Sequence, residues 1–147
     1  MKSWLTGCLL FWATVSPAMA ATVTPEATII AHEQAALALW ESGDPSGFLQ
    51  LAADDVVYFD PFLSQRLDGK AALTAYYETL RGKIHADHYQ MLNPKVQLLG
   101  TAAVLTFNFI STNAKGSHYW NCTEVYQQTA SGWQIIQTHW SFAKAPQ

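Results

Sequence analysis

From His85 to Phe142 the chain carries one strand-like run after another. His85–Leu92, Lys95–Leu99, Ala102–Thr112, His118–Gln128 and Trp133–Phe142 are rich in β-branched and aromatic residues, which fit a pleated surface. Asn93-Pro94, Gly100-Thr101, Asn113–Gly116 and Thr129–Gly132 separate them with turn or bulge residues. The last three runs are joined by turns too short for a crossover, so they read as an antiparallel meander.

The segment before them is mainly helical. Thr24-Pro25-Glu26 opens a first helix: a capping hydroxyl, a proline suited to the first turn, and an acid at the positive end of the helix dipole. Ile29, Ala36 and Trp40, flanked by Ile30 and Leu37, form its apolar stripe, and Gly43 ends it. Asp44-Pro45 starts a short second helix with Phe48 and Leu51. Val56–Phe59 is a strand that stops at Asp60-Pro61. Leu67–Lys70 is a turn opening a third helix, with Asp68 as the expected cap and Leu73, Tyr76, Tyr77 and Leu80 on its buried face. Helices grouped ahead of a mostly antiparallel sheet mean α+β.

Half of the residues are apolar (50%) and 13% are charged, which excludes a disordered chain. A net charge of −3 with no basic run excludes a surface built for nucleic acid. Met1–Ala20 reads as a cleaved leader: Lys2, then a short apolar stretch, then Ala18-Met19-Ala20. The apolar stretch is too short to span a bilayer, so no membrane anchor is expected after cleavage. The mature domain is then expected to cover residues 21–147, and the protein to be periplasmic or secreted. Cleavage removes Cys8 and leaves Cys122 as the single cysteine, read as a buried small hydrophobe.

The two longest strands have no plainly polar face. Tyr119, Asn121, Thr123, Val125 and Gln127 alternate with His118, Trp120, Cys122, Glu124 and Tyr126. In the last strand Ile136, Thr138, Trp140 and Phe142 alternate with Trp133, Ile135, Gln137, His139 and Ser141. Helices can cover one face, and a second copy of the chain is the simplest cover for the other, so a homodimer is expected.

Three segments carry a resemblance. Glu41-Ser42-Gly43-Asp44 followed by Leu51–Pro61, then Leu67–Leu73 with Tyr76-Tyr77, and finally Thr123–Tyr126 with Gly132–Ile136 and His139–Phe142 resemble nuclear transport factor 2-like proteins. The closing segment is similar to the SnoaL-like and calcium–calmodulin kinase II association-domain-like branch. The resemblance implies a cone: a strongly curved sheet wrapped around three N-terminal helices, with a pocket at its open end and a dimer on its convex face. The fold serves isomerases, dehydratases, oligomerisation domains and binders alike, so it does not fix the function. Ketosteroid isomerases of this superfamily use an Asp base with a Tyr and a protonated Asp as oxyanion donors. Asp60 matches the base, and Trp140 matches a pocket Trp. The helix Tyr position falls near Ala36, and an ungapped count puts the second Asp position on Thr123. A count slipped by one residue puts Glu124 or Cys122 there.

The candidate site follows. Asp60 is expected to face an aromatic cavity as a general base, with Tyr58 two residues away on the same face. The competing reading is a turn Asp bonded to nearby backbone. Trp140 and the polar tips of Tyr119, Asn121 and Thr123 are expected to line the pocket as ligand-orienting groups. If Trp140 points inward, His139 points outward. Glu124, among rings, is expected to pair with His118 or His139 at the dimer interface. The histidines do not have the spacing of a zinc site, and His85 and His88 diverge on a strand. No cofactor motif is present. The expected activity is binding of a small, largely apolar molecule, with acid–base catalysis through Asp60 or a purely assembling role as alternatives.

Overall fold

A computed structural model describes residues 22–145. The expected leader and Cys8 lie outside the described residues. The element order is α1 (Pro25–Glu41), α2 (Ser46–Leu51), β1 (Ala52–Phe59), β2 (Leu67–Asp68), α3 (Lys70–Leu80), β3 (His88–Leu99), β4 (Ala102–Asn113), β5 (Gly116–Thr129) and β6 (Gly132–Phe142). The six strands make one unclosed sheet in the order β2-β1-β6-β5-β4-β3. Every pairing is antiparallel except β1 with β6. This is the expected α+β class, with the helices against the concave side of a curved sheet.

Thr24 caps α1 as its sequence suggests: its hydroxyl accepts from the Ala27 N–H at 3.2 Å. The next corner is tight. A Cβ built on Gly47 would stand 2.8 Å from the Ala36 Cα, so only glycine lets α2 lie this close to α1. Asp68 does not cap α3. It belongs to β2 and pairs with Arg66 at 2.7 Å. Gly69 takes the cap position at φ +86°, a turn that glycine makes at no steric cost, and its N–H is held by the Val56 carbonyl at 2.8 Å.

β3 starts at His88, three residues later than its sequence suggests, and the expected break at Asn93-Pro94 is a bulge inside one strand. Asn93 sits at φ 50°, and Pro94 has no N–H to give to the ladder. The core joins Ile29 and Leu37 of α1, Phe48 of α2, Val56 of β1, Leu73 of α3, and Leu105, Tyr126 and Ile135 of the sheet. Among the described residues no helix is long and apolar enough to cross a membrane.

Candidate functional site: an aromatic cavity around Asp60

Asp60 follows β1 directly, and three donors converge on it. The Tyr58 and Tyr76 hydroxyls both donate to Oδ2 at 3.0 Å, and the Phe62 N–H donates to Oδ1 at 2.7 Å. The turn reading and the pocket reading of Asp60 therefore hold together. The backbone contact fixes the carboxylate at the strand end, and the two phenols fix it against the cavity wall. Burial, reinforced by the Asp60 hydrogen bond, pushes Tyr76 up to about 12. Burial and the neighbouring Tyr77 and Asp60 push Tyr58 upward too, so both phenols stay protonated donors. A carboxylate offers about four lone-pair sites. Three are filled here, which leaves one for a ligand.

Asp60 opens onto a cavity of about 500 Å³, a size that suits a small organic ligand. Leu37, Trp40 and Glu41 of α1 form one wall, and Tyr76, Tyr77 and Leu80 of α3 form another. Phe109 and Ser111 of β4, Trp120 of β5 and Trp140 of β6 supply the sheet side. The rings hold each other in edge-on and tilted contacts: Trp40 with Tyr77 at 4.7 Å, Tyr58 with Tyr77 at 5.4 Å, Trp140 with Phe109 at 5.8 Å and with Trp120 at 6.3 Å. At the mouth, Phe62 leans edge-on against Trp120 and Phe142. Lys83, Ile84 and His85 form the rim after α3.

Of the residues expected from sequence, Tyr58, Asp60 and Trp140 line this cavity. Tyr119, Asn121 and Thr123 do not. They lie on the outer face of β5, where Asn121 accepts from the Asn108 side chain at 2.8 Å and joins Thr123 in a shallow surface dimple. The reason is a bulge in β6. Pairing runs from Thr129↔Gly132 to Tyr126↔Ile135 in one register, then resumes at Val125↔Gln137. Ile136 is the extra residue. It reverses the facing of everything after it, so Trp140 sits opposite Cys122 rather than Asn121.

The same shift corrects the reading of Glu124. It is fully buried on the inner face, with Thr138 donating to its Oε1 at 3.0 Å. It meets no histidine there and lies on no outer surface. Its neighbour is Glu33 of α1, also fully buried, which accepts from the Tyr126 hydroxyl at 2.8 Å. Glu33 Oε1 and Glu124 Oε2 have no hydrogen-bond partner among the described residues, and the two carboxyls are close enough to perturb each other. Burial raises both above the usual carboxyl range, and the charge of Glu124 raises Glu33 further. The pair therefore shares a proton. It lies beneath the cavity, not in its lining. Cys122 is buried as expected, and burial pushes its thiol upward. His139 points outward against Phe59 at 5.5 Å.

Glu41 is the ionisable cavity residue, among several lining residues, that sequence reasoning missed. It is 6% exposed, and burial, partly offset by His85, pushes its carboxyl up to about 7. Its signal was present: Ile29, Glu33, Leu37 and Glu41 recur every four residues along the buried side of α1.

Comparison with known proteins agrees with this architecture. The family model described as a SnoaL-like domain matches residues 29–145. A ketosteroid isomerase-like protein from Parabacteroides distasonis is 41% identical, with a TM-score of 0.76 over 85% of this chain and 94% of its own. An NTF2-like protein of unknown function from Pseudomonas putida is 22% identical, with a TM-score of 0.73 over 82% and 96%. The CaMKII hub of S. rosetta is 19% identical, with a TM-score of 0.68 over 84% and 100%. Among curated proteins none matches. The matched span takes in both walls of the cavity and the strand that ends at Asp60, and the chain belongs to the SnoaL-like domain family, with the NTF2-like cone fold.

Proposed function

We propose that this chain is an exported SnoaL-like domain that binds a small, largely apolar molecule in the cone cavity and works as a homodimer. The observation that carries the binding reading is the aromatic cavity of about 500 Å³ with the Asp60 carboxylate fixed in its wall. Export to the periplasm or beyond rests on the leader-like Met1–Ala20.

N-phenyl-1-naphthylamine, a neutral fluorescent probe of apolar sites, is expected to brighten on binding. Ser111→Trp, which puts an indole into the cavity, is expected to weaken that binding by about tenfold or more, roughly 1.4 kcal/mol. No brightening, or equal affinity in the variant, overturns the reading.

The dimer reading rests on the outer sheet face. Thr106, Asn108, Asn121, Thr123, Gln137 and His139 lie there with few charges, and Phe59 is 38% exposed beside His139. Hub domains share the fold. Native mass spectrometry of the mature protein is expected to show a dimer. A monomer at micromolar concentration removes this part of the proposal.

The relative described as ketosteroid isomerase-like favours one second reading, an acid–base isomerase, dehydratase or hydrolase using Asp60. The three donors on Asp60 weigh against it, because a base needs free lone pairs at the reacting proton.

A further inference from the structure

The cavity holds two carboxyls in different circumstances. Asp60 is nearly saturated by its three donors. Glu41 is more than nine-tenths buried and lines the cavity, yet among the described residues its carboxyl has neither a hydrogen-bond donor nor an ion-pair partner. Its oxygens open onto the cavity rather than lying sealed in protein, so they are free to accept from a ligand. Beside it Trp40 presents its ring, tilted against Tyr77 at 4.7 Å. Faces of Trp and Tyr attract a cation held within about 6 Å of the ring centre.

We propose that the ligand is an organic cation, an amine on an apolar or aromatic body, with its ammonium group against Glu41 and the Trp40–Tyr77 rings. The assignment rests on the ligand-binding reading above. A neutral molecule can hydrogen-bond Glu41 but leaves its negative charge unbalanced. An anion meets two carboxyls in one apolar cavity.

The other charged and titratable groups around Glu41 are few. Lys83 and His85 stand exposed on the rim, and His85 already faces Asp87 at 3.3 Å. Asp60 comes from the end of β1, and Tyr58, Tyr76 and Tyr77 come from β1 and α3. Arg81 is tied to Asp44 and Glu78. Because Glu41 without a ligand holds its proton up to about 7, a bound ammonium expels that proton. Cation binding therefore tightens as pH rises from about 6 to about 8.

The test compares three molecules of one shape by calorimetry: tryptamine, tryptophol and indole-3-acetate. The wild type is expected to bind tryptamine at least about tenfold tighter than tryptophol at pH near 8. Tryptamine affinity rises with pH while tryptophol affinity stays level. Glu41→Gln, of equal size, reduces the preference to less than about threefold. Equal or tighter binding of tryptophol or indole-3-acetate overturns the cation assignment, as does an undiminished preference in the variant. If the variant fails to fold, the pH series on the wild type decides, and a level tryptamine affinity overturns it. Binding of N-phenyl-1-naphthylamine with none of the indoles bound also overturns it and leaves the cavity reading standing. Loss of all four overturns the cavity reading itself.

Discussion

Glu33→Gln is expected to melt several degrees higher than the wild type at neutral and alkaline pH, with the gap closing as the pH falls toward the ordinary glutamate value of 4.5. The unfolded chain ionises both Glu33 and Glu124 above that value. The folded chain cannot, because the two carboxyls lie close together in a site closed to water. The folded state therefore binds more protons than the unfolded state, and stability falls with rising pH. The pair's full contribution is present below 4.5 and is lost as the pH passes through the raised folded values. Glutamine reproduces the protonated partner. Its carbonyl can accept from Tyr126, and its amide can donate to Glu124, with no proton to hold. Glu41, raised to about 7, adds a smaller fall of the same sign that remains in the variant.

Thermal melts across a pH series check this. Parallel curves for wild type and Glu33→Gln show that the pair does not hold the proton. Glu124→Ala is the opposite case. It orphans the Thr138 hydroxyl and leaves a void in the core, at a cost of about 2–5 kcal/mol, on the order of 10 °C in melting temperature.

How far the sequence reveals this molecule depends on whether a feature is local. Thr24, Gly43 and the short turns mark their elements because backbone geometry at those points depends on a single residue. Asp60 and Tyr58 are legible as cavity-facing because an Asp-Pro at a strand end and a strand's two-residue period fix where side chains go, and Trp140 is legible through the resemblance of the closing segment. Glu33 and Glu41 were hidden because a charge on a helix is ordinarily a solvated charge. Only their four-residue spacing from Ile29 and Leu37 shows that they share the buried side. Tyr76 reads as core from its spacing, and its hydroxyl contact with Asp60 spans sixteen residues of chain. The face of β5 that lines the cone was misread for a different reason. Ile135 and Ile136 are both isoleucine, so nothing local says which of them turns inward.

A pair of deletions tests that explanation. Deleting Ile136 removes only the extra residue: Gln137 then follows Ile135, the pairing runs on from Tyr126↔Ile135 to Val125↔Gln137, and Trp140 stays opposite Cys122. That variant is expected to fold and to keep its cavity. Deleting Ile136 and Gln137 together sets Trp140 opposite Thr123 instead, and the expected result is loss of the folded state. Trp140 and Thr138 then turn to the outer face, and His139 turns into the core. Glu124 loses its Thr138 donor, and Trp140 leaves its contacts with Phe107, Phe109 and Trp120. Removing a buried Trp side chain alone costs about 3–5 kcal/mol, and each unsatisfied buried polar group adds about 1–3. A domain stable by about 5–15 kcal/mol does not survive that sum. Circular dichroism and size-exclusion chromatography of the two variants check the contrast. A double-deletion variant that folds and still binds N-phenyl-1-naphthylamine would show that core packing, rather than the residue count, decides which way Trp140 faces.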